Sequence, residues 1–150
     1  MKKSTACAGV GAVASQNITD PRLGPAGLDL LAAEIGAQAA LDRLIATAPD
    51  VAYRQLALID RNGDTAAYSG AKTLGIHATA QGRDCVAAGN LLANDGVPAA
   101  MVAAFEGSTG QALGDRLVAA LRGGLDAGGE AGSVHSAGLL LVKDAAWPVA

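Results

Sequence analysis

Polar side chains border several short apolar stretches of this 150-residue chain. Ser15 and Gln16 follow "GAVA", Asn90 follows "CVAAG", and His135 and Ser136 precede "AGLLLV". If these stretches are strands of one sheet, their hydrogen-bond donors and acceptors gather at one end of it, as the polarisation of a carbonyl group requires. The alternative is that these side chains cap the strand ends by bonding to neighbouring backbone.

The sequence offers few groups that could act as a general base. Histidine is the usual general base near neutral pH, and the chain has two, His77 and His135. His135 and Ser136 should not activate one another, because adjacent residues on a strand point to opposite faces. A contact between His135 and Ser15 across the sheet is therefore the one internal serine-histidine dyad that the sequence allows.

Motifs for metal, redox and nucleotide chemistry are missing from the sequence. It has no HExxH, CxxC, GxSxG or P-loop pattern, and "GVG" lacks the third glycine of a dinucleotide-binding fingerprint. We therefore expect no metal and no cofactor. Cys7 and Cys85 are expected to be reduced thiols, since two cysteines in a chain of this length fit a cytosolic protein at least as well as a disulfide.

Charge and hydropathy argue against nucleic acid and membrane as partners. The formal net charge is −3, and the 11 Lys and Arg residues are scattered, so no basic stripe could neutralise a phosphate backbone. No apolar run approaches the roughly 18 residues of a membrane helix. Lys2 and Lys3 followed by small residues resemble an export signal, but polar residues and glycines interrupt its apolar part. We expect a cytoplasmic protein, with export as the alternative.

Apolar periodicity and turn signals predict the elements that position these residues. A buried strand is predicted at 8–16, and a helix pair at 27–50 is broken at Gly36. The dipeptide Asn62-Gly63 between two strand-like runs predicts a hairpin, and a looser strand pair is expected about Gly82.

The rest of the chain is expected to complete a single domain spanning 1–150. One helix begins near Pro98, a second carries leucines at four-residue steps from Leu113, and "VHSAGLLLVKD" at 134–144 is predicted to be a buried strand. The hairpin makes the sheet antiparallel. The predicted core consists of Leu31, Leu44, Leu56, Leu58, Leu117, Leu121, Leu140 and Val142.

Five segments of the chain occur in a distinctive order. They are "AGVGAVASQNITDPRLGPAGLDLLAAE", "YRQLALIDRNGDTAAYSGA", "AAGNLL", "MVAAFEGSTGQALGDRLVAAL" and "HSAGLLLVKD", which together cover about 8–144. The ordered set resembles the bacterial domain-of-unknown-function family 1028. That resemblance implies an α+β fold, the four-layer αββα sandwich of the N-terminal-nucleophile hydrolases.

The resemblance also implies a type of chemistry. In such hydrolases a Thr, Ser or Cys at the mature N-terminus attacks an amide carbonyl, and its own α-amine is the base. Ser4, Thr5 or Cys7 could do so only after processing, because Met1 has no nucleophile. Family members begin with further strands and continue past "LLLVKD", so we expect a sandwich truncated at both edges, with "MKKSTAC" as the replacement or remnant of the N-terminal part.

Two functions follow as hypotheses. The first is an amidohydrolase-like protein that acts on a small amide or cyclic amide and is poorly active as an unprocessed chain. The second is a non-catalytic module that binds a small metabolite or serves structurally. We expect a homo-oligomer, because a missing strand leaves a sheet edge uncovered. The candidate residues are Asn90 and Gly89 as oxyanion donors, Ser15, Gln16 and His135 as further catalytic groups, and Arg54 and Ser136 as substrate contacts.

Overall fold

The structure, a computed structural model, describes residues 3–143 and contains two antiparallel sheets. Sheet A has four strands in the order β1-β2-β3-β4, and sheet B has two. The predicted hairpin and the predicted strand pair about Gly82 are both confirmed. The strands are β1 (Lys3–Cys7), β2 (Gly11–Gln16), β3 (Gln55–Asp60), β4 (Thr65–Ser69), β5 (Ile76–Gly82) and β6 (Cys85–Leu92).

The described residues contain four α-helices, three of which cover the outer faces of the two sheets. The first two pack on sheet A, whose other face packs on sheet B, and the third packs on sheet B. The molecule is therefore an α+β sandwich, as the family resemblance implied. The helices are α1 (Leu23–Ala32), α2 (Ala37–Thr47), α3 (Val97–Gly107) and α4 (Leu113–Asp126). Among the described residues, no helix is both long and apolar enough to cross a lipid bilayer.

The Asp60 carboxylate fixes the hairpin turn and the start of α2. Its Oδ1 accepts the backbone N–H groups of Asn62 and Asp64, at 2.9 and 3.1 Å. Its Oδ2 accepts the N–H of Ala37, which is otherwise an unsatisfied donor of the first helical turn. Gly63 adopts a φ of 87°, which a residue without a Cβ adopts readily. The predicted turn and the predicted helix break at Gly36 are thus linked by one side chain.

The main apolar core lies between sheet A and helices α1 and α2. Leu56 and Leu58 of β3 are fully buried there, opposite Val13 of β2 and under Leu41 and Leu44 of α2. Leu31 of α1 closes the same cluster. Four of the eight predicted core residues, Leu31, Leu44, Leu56 and Leu58, are confirmed.

The prediction that the leucines of α4 enter the core is wrong. Leu117 is only half-buried, and Leu121 is 42% exposed. The reason is that α4 packs against α3 through small residues. A Cβ added to Gly123 would lie 2.7 Å from the Ala104 Cβ, and one added to Gly124 would lie 2.7 Å from the Met101 Cγ. The close approach uses the glycine face of α4 and leaves much of its leucine stripe in contact with water.

The predicted buried strand at 134–144 does not form within the described residues. Residues 134–143 belong to no helix or strand and are exposed, and Leu140 and Val142 are 53% and 43% exposed. Pairing with sheet B stops at a single bridge between Leu92 and Glu130. Asp144 lies outside the described residues. Apolar composition predicted burial here, but the segment only approaches the start of α4, where Gly114 lies beside Leu141, and its side chains stay about half exposed.

The stretch "MKKSTAC", expected to be the replacement or remnant of the N-terminal part of the family fold, contributes a strand. The stretch from Lys3 to Cys7 forms β1, which pairs with β2 from Lys3 opposite Ser15 to Cys7 opposite Gly11. The chain turns back at Ala8–Val10, where the N–H of Val10 donates to the Cys7 carbonyl. The N-terminal residues therefore supply an edge strand of sheet A.

Candidate functional site

Three amide side chains meet between the two sheets at one end of the sandwich. Gln55, which is fully buried, accepts hydrogen bonds at its Oε1 from Gln16 Nε2 and from Asn90 Nδ2, the latter at 3.1 Å. The Gln55 Nε2 donates to the Ser69 hydroxyl at 2.8 Å and to the Gly89 carbonyl at 2.9 Å. We call Gln16, Gln55 and Asn90 the amide cluster. It joins β2 and β3 of sheet A to β6 of sheet B.

The position of the amide cluster follows from strand register. Gln16 lies opposite Gln55 in the antiparallel pair of β2 and β3, so both side chains leave the same face of sheet A. Gln16 also donates to the Ala88 carbonyl of β6 at 3.0 Å. The sequence suggested that Gln16 and Asn90 would gather at one end of a single sheet, whereas the structure places them on different sheets and brings both to one Gln55 oxygen.

Strained backbone flanks the amide cluster on two sides. Asn17 and Ile18, which follow Gln16, have φ angles of 58° and 46°, and Leu91, which follows Asn90, has a φ of 54°. A left-handed conformation is costly for non-glycine residues, above all for a β-branched one such as Ile18. Asn17 is held there by two bonds, because its Nδ2 donates to the Tyr53 carbonyl and its Oδ1 accepts the Leu74 N–H. Such outliers cluster at functional sites.

Ser15 does not belong to the amide cluster. It lies opposite Leu56, on the face of sheet A that packs against the helices, whereas Gln16 points to sheet B. Ser15 is 2% exposed, and its hydroxyl has no hydrogen-bond partner among the described residues. The dyad of Ser15 with His135 therefore does not form. His135 itself is exposed.

Arg54 precedes β3 and is also buried away from the amide cluster. Its backbone carbonyl accepts the N–H of Gly70 at 2.9 Å, and its Nε has no partner among the described residues. Its positive charge is felt by Asp20, but the hydrogen bond and charge of Arg22 are the larger cause of the low pKa of Asp20, which is about 2. The structure does not place Arg54 beside Asn90 as a substrate contact.

The N-terminal candidates differ in the face of β1 that they occupy. Thr5 faces α1, where a Cβ on Gly24 would collide with its hydroxyl, and this hydroxyl also reaches the Val13 carbonyl. Ser4 immediately precedes Thr5 on the strand, so its side chain points to the opposite face of sheet A, which is the face of Gln16. Cys7 lies at the far end of β1, opposite Gly11.

Ser4 is the candidate nucleophile that lies nearest to the amide cluster. It is exposed and pairs with Ala14, two residues before Gln16 on the neighbouring strand. Diagonal neighbours of this kind are separated by about 7–8 Å between their Cα atoms. The half-buried thiol of Cys85 is a poor nucleophile, because burial raises its pKa and the nearby Glu106 charge raises it further.

Three further residues occupy positions that change their expected roles. Gly89 offers its carbonyl to Gln55, so its backbone is an acceptor in this network. Ser136, like His135, lies on the exposed segment outside both sheets. His77 of β5, one of the two possible bases in the sequence, lies at the irregular pairing between Ile76 and Ala78, where β6 contributes Asn90 and Leu91.

Two clefts lie at the opposite end of the sandwich from the amide cluster. One, of about 640 Å³, is lined by residues 36–39, 62–65 and 82–84, and a second of about 270 Å³ adjoins it at Gly36 and Asn62. None of the predicted site residues lines either cleft. Their walls are turn residues and the first turn of α2, whose Ala37 N–H is already bound by Asp60. Within 3–143, no group of three His, Cys, Asp or Glu side chains is arranged to hold a metal ion.

Comparison with known families agrees with this sandwich. The model of a family of unknown function, DUF1028, matches residues 4–150, a slightly wider span than the ordered segments gave. The chain belongs to the DUF1028 family. The match begins within β1 and therefore includes Ser4. No curated protein matches the sequence.

A solved structure supports the same architecture for this DUF1028 chain. It is similar to the crystal structure of protein SPO2555 from Silicibacter pomeroyi, also a DUF1028 protein, with a TM-score of 0.78 and 28% sequence identity. The similarity covers 83% of this chain and 55% of that chain. The DUF1028 chain described here therefore spans little more than half the length of that relative.

Proposed function

We propose that this protein is an amide hydrolase that uses an N-terminal nucleophile, with Ser4 as that nucleophile once the Lys3–Ser4 bond has been hydrolysed. One observation carries the proposal. Ser4 lies on the same face of sheet A and at the same end as the amide cluster, whereas Thr5 points away from it. The substrate class is a small amide or cyclic amide.

The reaction needs only the groups of the new N-terminus and water. The Ser4 hydroxyl oxygen attacks the amide carbonyl carbon, and its proton passes to the α-amine of the same residue. The carbon-nitrogen bond breaks as the leaving nitrogen takes that proton, which leaves an acyl ester on Ser4. Water, deprotonated by the same amine, then hydrolyses the ester and releases the acid. An α-amine with a pKa of about 7.7–8.0 suits both proton transfers.

The amide cluster supplies the polar groups for the developing negative charge. One hydrogen of the Asn90 amide is bonded to Gln55, and the other is available in this proposal for the carbonyl oxygen of a substrate. The Gln55 bonds hold the Asn90 amide in place, which is the preorganisation that oxyanion stabilisation depends on. Because Asn90 is 7% exposed, such a bond would form in a region of low dielectric.

The unprocessed chain should be a poor hydrolase. With Met1 to Lys3 still attached, the nitrogen of Ser4 is an amide and cannot accept a proton. Oxyanion donors then face a carbonyl that no group attacks. The proposal therefore predicts a large difference between chains that begin at Met1 and chains that begin at Ser4.

The test uses chains released from a fusion by a protease so that the first residue is defined. A chain that begins at Ser4 is incubated with a β-lactone, and its intact mass is measured. We expect one acyl adduct, located at Ser4, together with turnover of at least one amide from a panel of small linear and cyclic amides. The Met1 chain and a Ser4→Ala chain should show neither.

A chain that begins at Thr5 is the matched control. It carries a free α-amine and a hydroxyl, but that hydroxyl faces α1. We expect no adduct and no turnover from it. Equal labelling of the Ser4 and Thr5 chains would contradict the proposal, because the strand face would then not matter. Absence of an adduct on a folded Ser4 chain would also contradict it.

A non-catalytic role has one observation in its favour. Both Nε2 hydrogens of Gln55 and its Oε1 are already bonded within the sandwich, as a purely structural network would require. In that case the chains that begin at Met1, Ser4 and Thr5 would bind each panel amide with equal affinity, or none of them would bind any. Titration of each chain with the same amides, followed by the side-chain amide signals of Asn90 and Gln16, separates the two functions.

A further inference from the structure

Three large apolar side chains are exposed next to the amide cluster. They are Ile18, Leu74 and Leu91, which are 56%, 50% and 49% exposed. Their backbones are linked, because the Leu91 N–H donates to the Leu74 carbonyl at 3.1 Å and the Leu74 N–H donates to Asn17, the neighbour of Ile18. We call these three residues the apolar rim.

The apolar rim is unfavourable for stability in two ways. Each side chain loses the stabilisation that burial would provide. Ile18 and Leu91 also have left-handed backbone, where a glycine or asparagine would be less strained. A residue chosen for stability alone at either position would be small or polar. The two features together indicate that these side chains serve a ligand.

We propose that the apolar rim binds an alkyl or aryl substituent of the amide substrate. This inference rests on the proposed function, since the rim adjoins Gln16 and Asn90 in the chain. An amide whose carbonyl reaches Asn90 would extend its substituent outward over Leu91 and Ile18. The rim contains no charged side chain, so it favours an apolar group over a charged one. The substrate class is therefore an amide with an apolar substituent of several carbons.

The test compares binding of acetamide and hexanamide to the full chain. Titrations are followed by the side-chain amide signals of Asn90 and Gln16, which report binding at the cluster without any requirement for turnover. Each buried methylene strengthens binding roughly two- to fourfold, so hexanamide should bind at least about tenfold more tightly than acetamide. The two ligands share the carboxamide and differ in four methylenes.

Two substitutions then locate the source of the preference. Ile18→Gly and Leu91→Gly each remove an apolar side chain and relieve a left-handed backbone, so each should leave the thermal unfolding midpoint unchanged or raised. Both should reduce the ratio of hexanamide to acetamide affinity severalfold. A merely structural side chain would not combine unimpaired stability with lost preference.

Leu125→Ala is the control, because Leu125 on α4 is 57% exposed, like Ile18, but belongs to another surface. It should leave the affinity ratio unchanged. Equal affinity for the two amides, or a ratio that survives Ile18→Gly and Leu91→Gly, would overturn the apolar rim while leaving the proposed function intact. If neither amide binds at the cluster, the proposed function is wrong and this inference is overturned with it.

Discussion

The two faces of the β2–β3 pair have opposite characters, although the same two strands form both. On the face toward α1 and α2, Val13, Leu56 and Leu58 form a dry apolar core. On the face toward sheet B, Gln16 and Gln55 bond to one another and to β6. Alternation along a strand separates these roles at single-residue resolution. One face stabilises the fold, and the other holds polar groups in a fixed arrangement.

The largest effect should come from the apolar face. Leu56 is fully buried, so Leu56→Ala should lower the free energy of unfolding by about 2–5 kcal/mol through lost burial and the cavity that remains. Chemical denaturation measures this change. Exposed Leu121 on α4 is the control, and Leu121→Ala should cost well under half as much. Similar losses of unfolding free energy at both positions would contradict the difference between the buried face of β3 and the exposed face of α4.

The polar face should show coupling between residues. Gln55→Met removes the partner of Gln16 and Asn90 and leaves buried amides unsatisfied, so it should cost about 1–3 kcal/mol. Gln16→Met alone should also destabilise the fold. The double variant should cost less than the sum of the two, because both partners are then apolar. Strict additivity in denaturant unfolding would show that the amide cluster does not act as a unit.

Ser15 is a polar residue on the apolar face of sheet A. Its hydroxyl is buried without a partner among the described residues, so Ser15→Ala should stabilise the fold by up to about 1 kcal/mol. Thermal or denaturant unfolding gives the sign. The same substitution should leave acylation of the chain that begins at Ser4 unchanged. Loss of that acylation would mean that Ser15 takes part in the chemistry.

The smallest effect should be a pH dependence at the start of α1. The hydrogen bond from Arg22 lowers the pKa of Asp20 from 3.8 to about 2. A carboxyl with a lowered pKa in the folded state contributes stability above its unfolded value, and this contribution is lost as the pH falls from about 4 to about 2. Asp20→Asn should flatten the stability profile in that window. Unfolding at a series of pH values tests this, and an unchanged slope would contradict it.

The elements that the sequence predicted correctly are those with local signals. Asn62-Gly63 marks a two-residue turn between strand-like runs, and Gly36 separates two helices within a few residues. Gln16 and Asn90 were identified because each directly follows an apolar run. In each case the relevant information lies within one short window of the chain.

The residues that the sequence misplaced or missed depend on distant pairing. Gln55 is the centre of the amide cluster, but its importance appears only when β3 is set in register with Gln16, 39 residues away. His135 was placed on a buried strand because Leu139 to Val142 are apolar. Composition cannot say which surface covers such a stretch, and in the described structure its side chains stay about half exposed.

The position of β1 at the edge of sheet A has a consequence for the rate of the proposed reaction. β1 is hydrogen-bonded to a neighbour on one side only, whereas β3 is paired on both sides. An edge strand can open locally at a lower free energy than global unfolding requires, so its amide hydrogens exchange with solvent faster than those of a central strand. A nucleophile on β1 would therefore lie beside the amide cluster only while β1 is paired with β2. The fraction of time that β1 spends paired would then scale the turnover rate.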